Sequence, residues 1–290
     1  MDFQPTPDMI FGSFMPYKIT EDTWVLSFMN GSQYLYLLEG EEKALLIDTG
    51  WGASTLKPLV ERLTDKKILV ANTHFHPDHA GANGYFDEVI VSKNWRVDAP
   101  SVETAIDKPD LAPFDLSKMP NPNYKKVEVG EGDEIDLGDR IIKVLEAADA
   151  HCNISLFFYD EKEGLFFTGD EFEAGQVNLF DNSVNPEFKY DVEKCLKNFR
   201  ANAVRIKELM PKLKLILPNH NGSPLSPSYI DEFIEMVDKI YAGTATIEDE
   251  LNHPYIVHDP QAPFLCRVRN KNASIFIRKD EVMKVYGSAK

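Results

Sequence analysis

The sequence is poor in the residues that staple a chain, span a bilayer or hold polyanions. Three cysteines, Cys152, Cys195 and Cys266, occur in 290 residues. So sparse and odd a set makes no disulfide framework, and a reducing compartment is the simple inference. No stretch approaches the roughly 20 apolar residues that a membrane-spanning helix needs. Met1, Asp2, Phe3, Gln4 and Pro5 lack a basic region followed by an apolar run, so no signal peptide is expected and the expected location is cytoplasmic. Positive charge is scarce, with 31 Lys and Arg against 47 Asp and Glu, a formal net charge of −16. Phosphate backbones are held by clustered Lys and Arg, so neither nucleic acid nor a membrane is an expected partner. The same field weakly disfavours polyanionic small substrates. A small-molecule substrate fits best, with a homodimer through outer helices or the C-terminal hairpin left open.

What is present is the material of a folded enzyme. Hydrophobic residues make up 43% of the chain, enough for one large domain with a full core, or for a core domain plus an appendage. Short β-rich runs at residues 23–29 and 33–38 flank Asn30-Gly31-Ser32, and 44–47 ends at Asp48-Thr49-Gly50, which reads as an antiparallel meander. Residues 53–63 follow a helical period, with Leu56, Leu59, Val60 and Leu63 on one face. Strands are expected at 67–71 and 89–91. From 99 to 124 the pattern is lost among Pro100, Pro109, Pro113, Pro120 and Pro122, as in a lid or binding loop. A second run of strands covers 125–129, 134–137, 141–146, 154–159 and 165–168, punctuated by Gly130, Gly132, Gly138 and Gly164. Helices at 191–209 and 227–241 enclose a strand at 213–217. A short helical piece near Ile247 and a hairpin from 264–268 and 274–277 close the chain. Two groups of strands, each followed by helices, predict an α/β fold of two sheets with outer helices.

The chemistry concentrates in Thr73-His74-Phe75-His76-Pro77-Asp78-His79-Ala80-Gly81. Three imidazoles and a carboxylate lie within six residues, just past a strand. Pro77 disfavours a helix, so a loop is expected. In an extended stretch His74 and His76 point the same way and grip one ion together, while Asp78 and His79 aim at a second. Neutral imidazole and carboxylate suit Zn, and also Fe or Mn. Two ions about 4 Å apart can share a water and clamp both the attacking and the leaving oxygen. Each also lowers the pKa of that water towards neutrality. A lone histidine is more often an ordinary residue than a ligand. Here five of seven, His74, His76, His79, His151 and His220, fall at strand ends, and His253 and His258 read as ordinary.

These residues resemble the metallo-β-lactamase-fold hydrolase superfamily. Its H-x-H-x-D-H signature appears as His74-Phe75-His76-Pro77-Asp78-His79. Leu46-Ile47-Asp48-Thr49-Gly50 resembles the strand-end motif whose Asp supports the metal site. Ala150-His151-Cys152-Asn153 stands where the third metal-binding His is expected. Phe167-Thr168-Gly169-Asp170 resembles the bridging-Asp motif, and Leu217-Pro218-Asn219-His220 the final His motif. The resemblance runs from about residue 23 to 221. It implies a four-layer αβ/βα sandwich of two mixed sheets with outer helices. Residues 1–223 would form the catalytic domain and 224–290 a helix-and-hairpin extension packed on it. It also implies two divalent ions, Zn first, with His74, His76 and His151 on one, Asp78, His79 and His220 on the other, and Asp170 between them. Asp48 would orient a ligand imidazole, and Asp78 would orient the attacking hydroxide.

Two departures lie at the rim. Ala148-Asp149-Ala150 precedes His151 where many relatives carry T-P-G, and Asn219 stands where the family usually has Gly. Neither removes a donor. Asp170 points away from the zinc β-lactamases and towards the glyoxalase-II and lactonase-like branch. The reading is a binuclear metallo-hydrolase acting with a metal-bridging hydroxide on an ester, lactone or thioester of a small metabolite. The alternatives are a phosphodiesterase on a small phosphoester and a mononuclear-iron persulfide dioxygenase. A non-catalytic metal-binding module fits less well, because no donor is missing. Flavodiiron relatives carry Glu where this chain has His76, and a flavodoxin domain is not expected. Cys152 is read as a small buried hydrophobe. Specificity is expected from residues 99–124 and 171–186, with Phe180, Phe188 and Tyr190 as a candidate apolar wall.

Overall fold

The computed structural model describes residues 14–28, 31–52, 55–95, 120, 123–152, 154–179, 191–249 and 265–289. The chain divides into two compact units: Met1–Glu146 with Ile154–Gly169, and Ala147–Asn153 with Asp170–Lys290.

In the first unit the N-terminal strands β1 (Phe14–Thr20), β2 (Thr23–Phe28), β3 (Gln33–Glu39) and β4 (Lys43–Ile47) form the expected meander, with β1 added at its edge. All six residues of β2 are buried, which a strand achieves only when both faces of its sheet are covered. From β4 the sheet turns parallel, through β5 (Lys67–Ala71), β6 (Glu88–Ser92) and β7 (Lys125–Val129). Parallel neighbours need a crossover, and helix α1 (Leu56–Leu63) supplies the one between β4 and β5. It buries Leu56, Leu59 and Val60, as its period predicts. Ile47 pairs with Ala71, so the chain leaves β4 at Asp48 and β5 at Asn72 side by side. The carboxyl ends of parallel strands are where α/β sheets place their sites.

A second run, β8 (Glu134–Asp136), β9 (Ile141–Glu146), β10 (Leu156–Asp160) and β11 (Leu165–Gly169), is antiparallel throughout. Tyr36 on β3 and Phe167 on β11 meet edge to face at 5.1 Å between ring centroids. Arg140 clasps the two sheets. Its guanidinium donates to Asp160 Oδ2 at 2.7 Å, to Thr23 Oγ1 at 2.7 Å and to the carbonyls of Asp22 and Glu39. A buried cation is tolerated only with partners of this kind.

The second unit is built on helices α3 (Val192–Leu209) and α4 (Tyr229–Ala242), with strand β12 (Leu215–Pro218) between them in sequence. Phe172, Phe199 and Phe233 stack in its core at centroid distances of 5.1, 5.6 and 5.3 Å. Helix α4 stops at Gly243, whose φ of 70° is the left-handed cap that glycine adopts without a Cβ clash. Strands β13 (Thr246–Asp249), β14 (Leu265–Asn270) and β15 (Ala273–Arg278) make a small antiparallel sheet, followed by α5 (Lys279–Val285).

The mixed α/β class agrees with the sequence reading, with differences. The segment near Ile247 is strand, not helix, because pairing with Val268 outweighs a weak local helical pattern. The C-terminal hairpin therefore belongs to a third sheet. Residues 99–119, Phe180, Phe188, Tyr190, His253 and His258 lie outside the described residues. Among the described residues no helix is long and apolar enough to cross a membrane.

Candidate metal centre

In the first unit the expected donors gather around one buried carboxylate. Asp48 is fully buried in the turn after β4, where φ is 62°. Its Oδ1 accepts from the Thr73 backbone N–H at 2.8 Å, and its Oδ2 accepts from Thr73 Oγ1 at 2.7 Å. The same Oδ2 lies 2.9 Å from His79 Nδ1. These contacts fix ring tautomers by elimination. The His79 proton sits on Nδ1, facing the carboxylate, which leaves Nε2 as the donor. The Thr73 hydroxyl gives its one proton to Asp48, so at 3.0 Å it can only accept from His74 Nδ1. His74 therefore also presents Nε2.

His74 and His76 point the same way, with Nε2 of the first 3.0 Å from Nδ1 of the second. After them the backbone departs from expectation. Residues Pro77–Ala80 form a single helical turn, α2, rather than a loop. Proline is well suited to the first helical position, where no N–H is needed. The turn brings Asp78 Oδ2 to 3.5 Å from His79 Nε2. The His79 carbonyl is held by the Thr49 backbone N–H at 2.7 Å, Thr49 Oγ1 at 3.1 Å and Asn72 Nδ2 at 3.0 Å. Gln33 Nε2 donates to the carbonyl of Asp78.

In the second unit the three remaining donors meet at Asp170. One carboxylate oxygen lies 3.6 Å from His151 Nε2 and the other 3.7 Å from His220 Nε2. His151 donates from Nδ1 to the carbonyl of Asn178 at 2.9 Å, which again leaves Nε2 forward. Buried Glu171 accepts from the backbone N–H of His151 at 3.3 Å and lies 3.5 Å from Asn202 Nδ2. Burial pushes the Glu171 carboxyl up to about 8, against those two hydrogen bonds and with help from the charge of Asp170. Asn202 also exchanges two hydrogen bonds with the backbone of Ala148, at 2.8 and 2.9 Å, which pins the segment before His151. Asn221, with φ of 60°, donates to Glu173 and so ties the turn after His220.

The donor separations test whether a metal fits. Two ligands about 2.1 Å from one tetrahedral ion stand about 3.4 Å apart. The four pairs within the units fall on either side of that value, from 3.0 to 3.7 Å. Neutral imidazole nitrogens with carboxylate oxygens are a set that divalent Zn, Fe or Mn accepts. These His and Asp clusters could therefore hold metal. The sequence singles out these histidines and aspartates but gives no role to Thr73, Glu171, Asn202 or the Asn178 carbonyl. Thr73 directly precedes the first histidine and was the most accessible of them. A backbone carbonyl has no signature in a sequence.

The family model described as the metallo-beta-lactamase superfamily matches residues 29–220, about two thirds of the chain. Acyl-coenzyme A thioesterase MBLAC2 of Gallus gallus is 22% identical over 208 residues, 64% of this chain and 71% of that protein. Hydroxyacylglutathione hydrolase of Erythrobacter litoralis is 28% identical over 145 residues, 50% of this chain and 45% of that one. The solved metallo-beta-lactamase from Pontibacter korlensis superposes with a TM-score of 0.53 at 18% identity, covering 78% of this chain and 99% of its own, a likeness of fold. With the αβ/βα fold of that structure and a family match over most of its length, the chain belongs to the metallo-beta-lactamase superfamily.

Proposed function

We propose that the protein is a binuclear metal-dependent hydrolase acting on an ester, lactone or thioester of a small metabolite. As the resemblance implies, His74, His76 and His151 would hold one ion, Asp78, His79 and His220 the other, and Asp170 would bridge them. The observation that carries the reading is Asp170, which turns its two oxygens towards two different imidazoles, as a bridging carboxylate does. Zn suits the donors, and Fe or Mn are accepted by the same set.

Bound ions of this kind polarise a carbonyl and lower the pKa of water, which supplies both the electrophile and the nucleophile of a hydrolysis. The chain's own work is orientation. Asp48 holds His79, and Thr73 holds His74, with Nε2 forward. The Asn178 carbonyl does the same for His151. Asp78, only partly buried, would orient the nucleophile. A thioester is favoured within the substrate class, because one relative is named as an acyl-coenzyme A thioesterase.

The test pairs metal analysis with a panel of lactone, thioester, β-lactam and phosphodiester substrates. Two equivalents of metal are expected, with thioester or lactone turnover that a chelator abolishes and that His76→Ala lowers by at least a hundredfold. Less than one equivalent of Zn, Fe or Mn, with activity untouched in His76→Ala, would sink the proposal.

A further inference from the structure

The C-terminal hairpin carries none of the donors, yet it is bonded to the segment that orients one of them. Residues 177–179 run parallel to β15, with Asn178 opposite Phe276. The Val177 N–H donates to the Ser274 carbonyl at 2.9 Å, the Phe276 N–H to the Val177 carbonyl at 2.8 Å, and the Leu179 N–H to the Phe276 carbonyl at 2.8 Å. Backbone groups of successive strand residues point in opposite directions. With 177 and 179 turned to β15, the carbonyl of 178 faces away from it, and there it takes the Nδ1 proton of His151. A slip of one residue would turn that carbonyl back to the hairpin.

A polar clasp stands against such a slip. Ser274 Oγ donates to the Gly175 carbonyl. The Gly175 N–H donates to Tyr229 Oη at 2.6 Å, and Tyr229 Oη donates to the carbonyl of Asn272 at 3.0 Å. Burial raises the Tyr229 phenol above its ordinary value, so it keeps the proton it donates. The segment at 175–179 is thus tied to the hairpin by Ser274 and to α4 by Tyr229, which also bonds Asn272.

We propose that the β14–β15 hairpin, with Tyr229, is the positioning device for His151. The register of β15 against residues 177–179 aims the Asn178 carbonyl at the imidazole and fixes its tautomer. The inference rests on the reading of His151 as a metal ligand given above. Ser274 and Tyr229 are its positioning residues. Their role differs from plain packing, because it predicts a defect in one histidine rather than in the fold.

The test uses the full chain with Ser274→Ala and Tyr229→Phe, and Val237→Ala as a destabilising control in the core of α4. Affinity for Zn and for Co(II) is read by competition with a chromophoric chelator. The ring tautomer of His151 is read by nitrogen NMR on the metal-free protein. Each clasp variant is expected to bind one of two equivalents about tenfold more weakly, the scale of lost support behind a metal-bound histidine. The His151 ring should spread between tautomers. Ser274→Thr, which keeps the hydroxyl, should restore both readings, and Val237→Ala should lower the melting temperature without moving either. Wild-type affinity and tautomer in both clasp variants would overturn the inference, as would equal shifts in Val237→Ala. If wild-type protein binds no metal, the proposed function falls, and the tautomer alone still decides whether the hairpin holds His151.

Discussion

The two units solve one problem, aiming imidazoles, by different means. In the first, four proposed donors come from the six residues His74 to His79, and one buried side chain, Asp48, braces His79 directly and His74 through Thr73. In the second, the proposed donors stand at 151, 170 and 220, braced by a backbone carbonyl, by Glu171, by Asn202 on α3 and by Asn221 in the turn after His220. A compact motif concentrates its support in a single residue, where one substitution undoes most of it. A dispersed one spreads its support over many weak ties, each of which can be lost singly.

Asp48→Ala carries the largest effect that this contrast predicts. It strands the Thr73 N–H, the Thr73 hydroxyl and the His79 Nδ1–H in a fully buried place. Buried donors left without acceptors cost on the order of 1–3 kcal/mol each, so a loss of about 3 kcal/mol or more is expected in urea unfolding. Metal content should fall together with stability. Asp48→Asn, which retains an acceptor oxygen, should fall between. Full metal content in Asp48→Ala would remove the idea that one carboxylate governs the first cluster.

The same contrast explains what could be read in the sequence. The run from His74 to His79 was legible because strand alternation and one proline fix its directions locally. Even there Pro77 misled, since a residue that breaks a helix in its interior starts one at its first position. His151, Asp170 and His220 were legible only through their order in a resemblance, because nothing local ties them together. Asn202 looks like any polar residue on an amphipathic helix, and only the fold brings Ala148 to it. Thr246–Asp249 was misread for a related reason: its partner strand begins sixteen residues later. Side chains that act across long separations, and backbone groups that act at all, leave no pattern to read.

Asn202→Ala tests the dispersed side of the comparison. It removes the paired hydrogen bonds to Ala148 and the contact with Glu171 at a buried site, worth about 2 kcal/mol. Spread support predicts a graded result: weaker binding of one metal equivalent by several-fold, with the other equivalent unchanged. Complete loss of both ions would mean that the second cluster is as concentrated as the first.

The smallest effect lies where the hairpin turn meets α4 at the surface. Lys271 beside Glu235, then Asn270 and Lys239, pull its carboxyl down to about 2. The folded value is below the ordinary 4.5, so folding favours the ionised form. That contribution is full above the unfolded value and is lost as pH falls from there through the folded one. Glu235 stands at the surface, half exposed, and salt screens its pairs. Glu235→Gln should therefore lower the urea midpoint slightly at pH 7, by an amount that shrinks below pH 4.5 and also in 1 M salt. A difference that persists unchanged at pH 3 would assign the effect to the neutral hydrogen bonds of the turn and take the charge out of the account of how this hairpin is held.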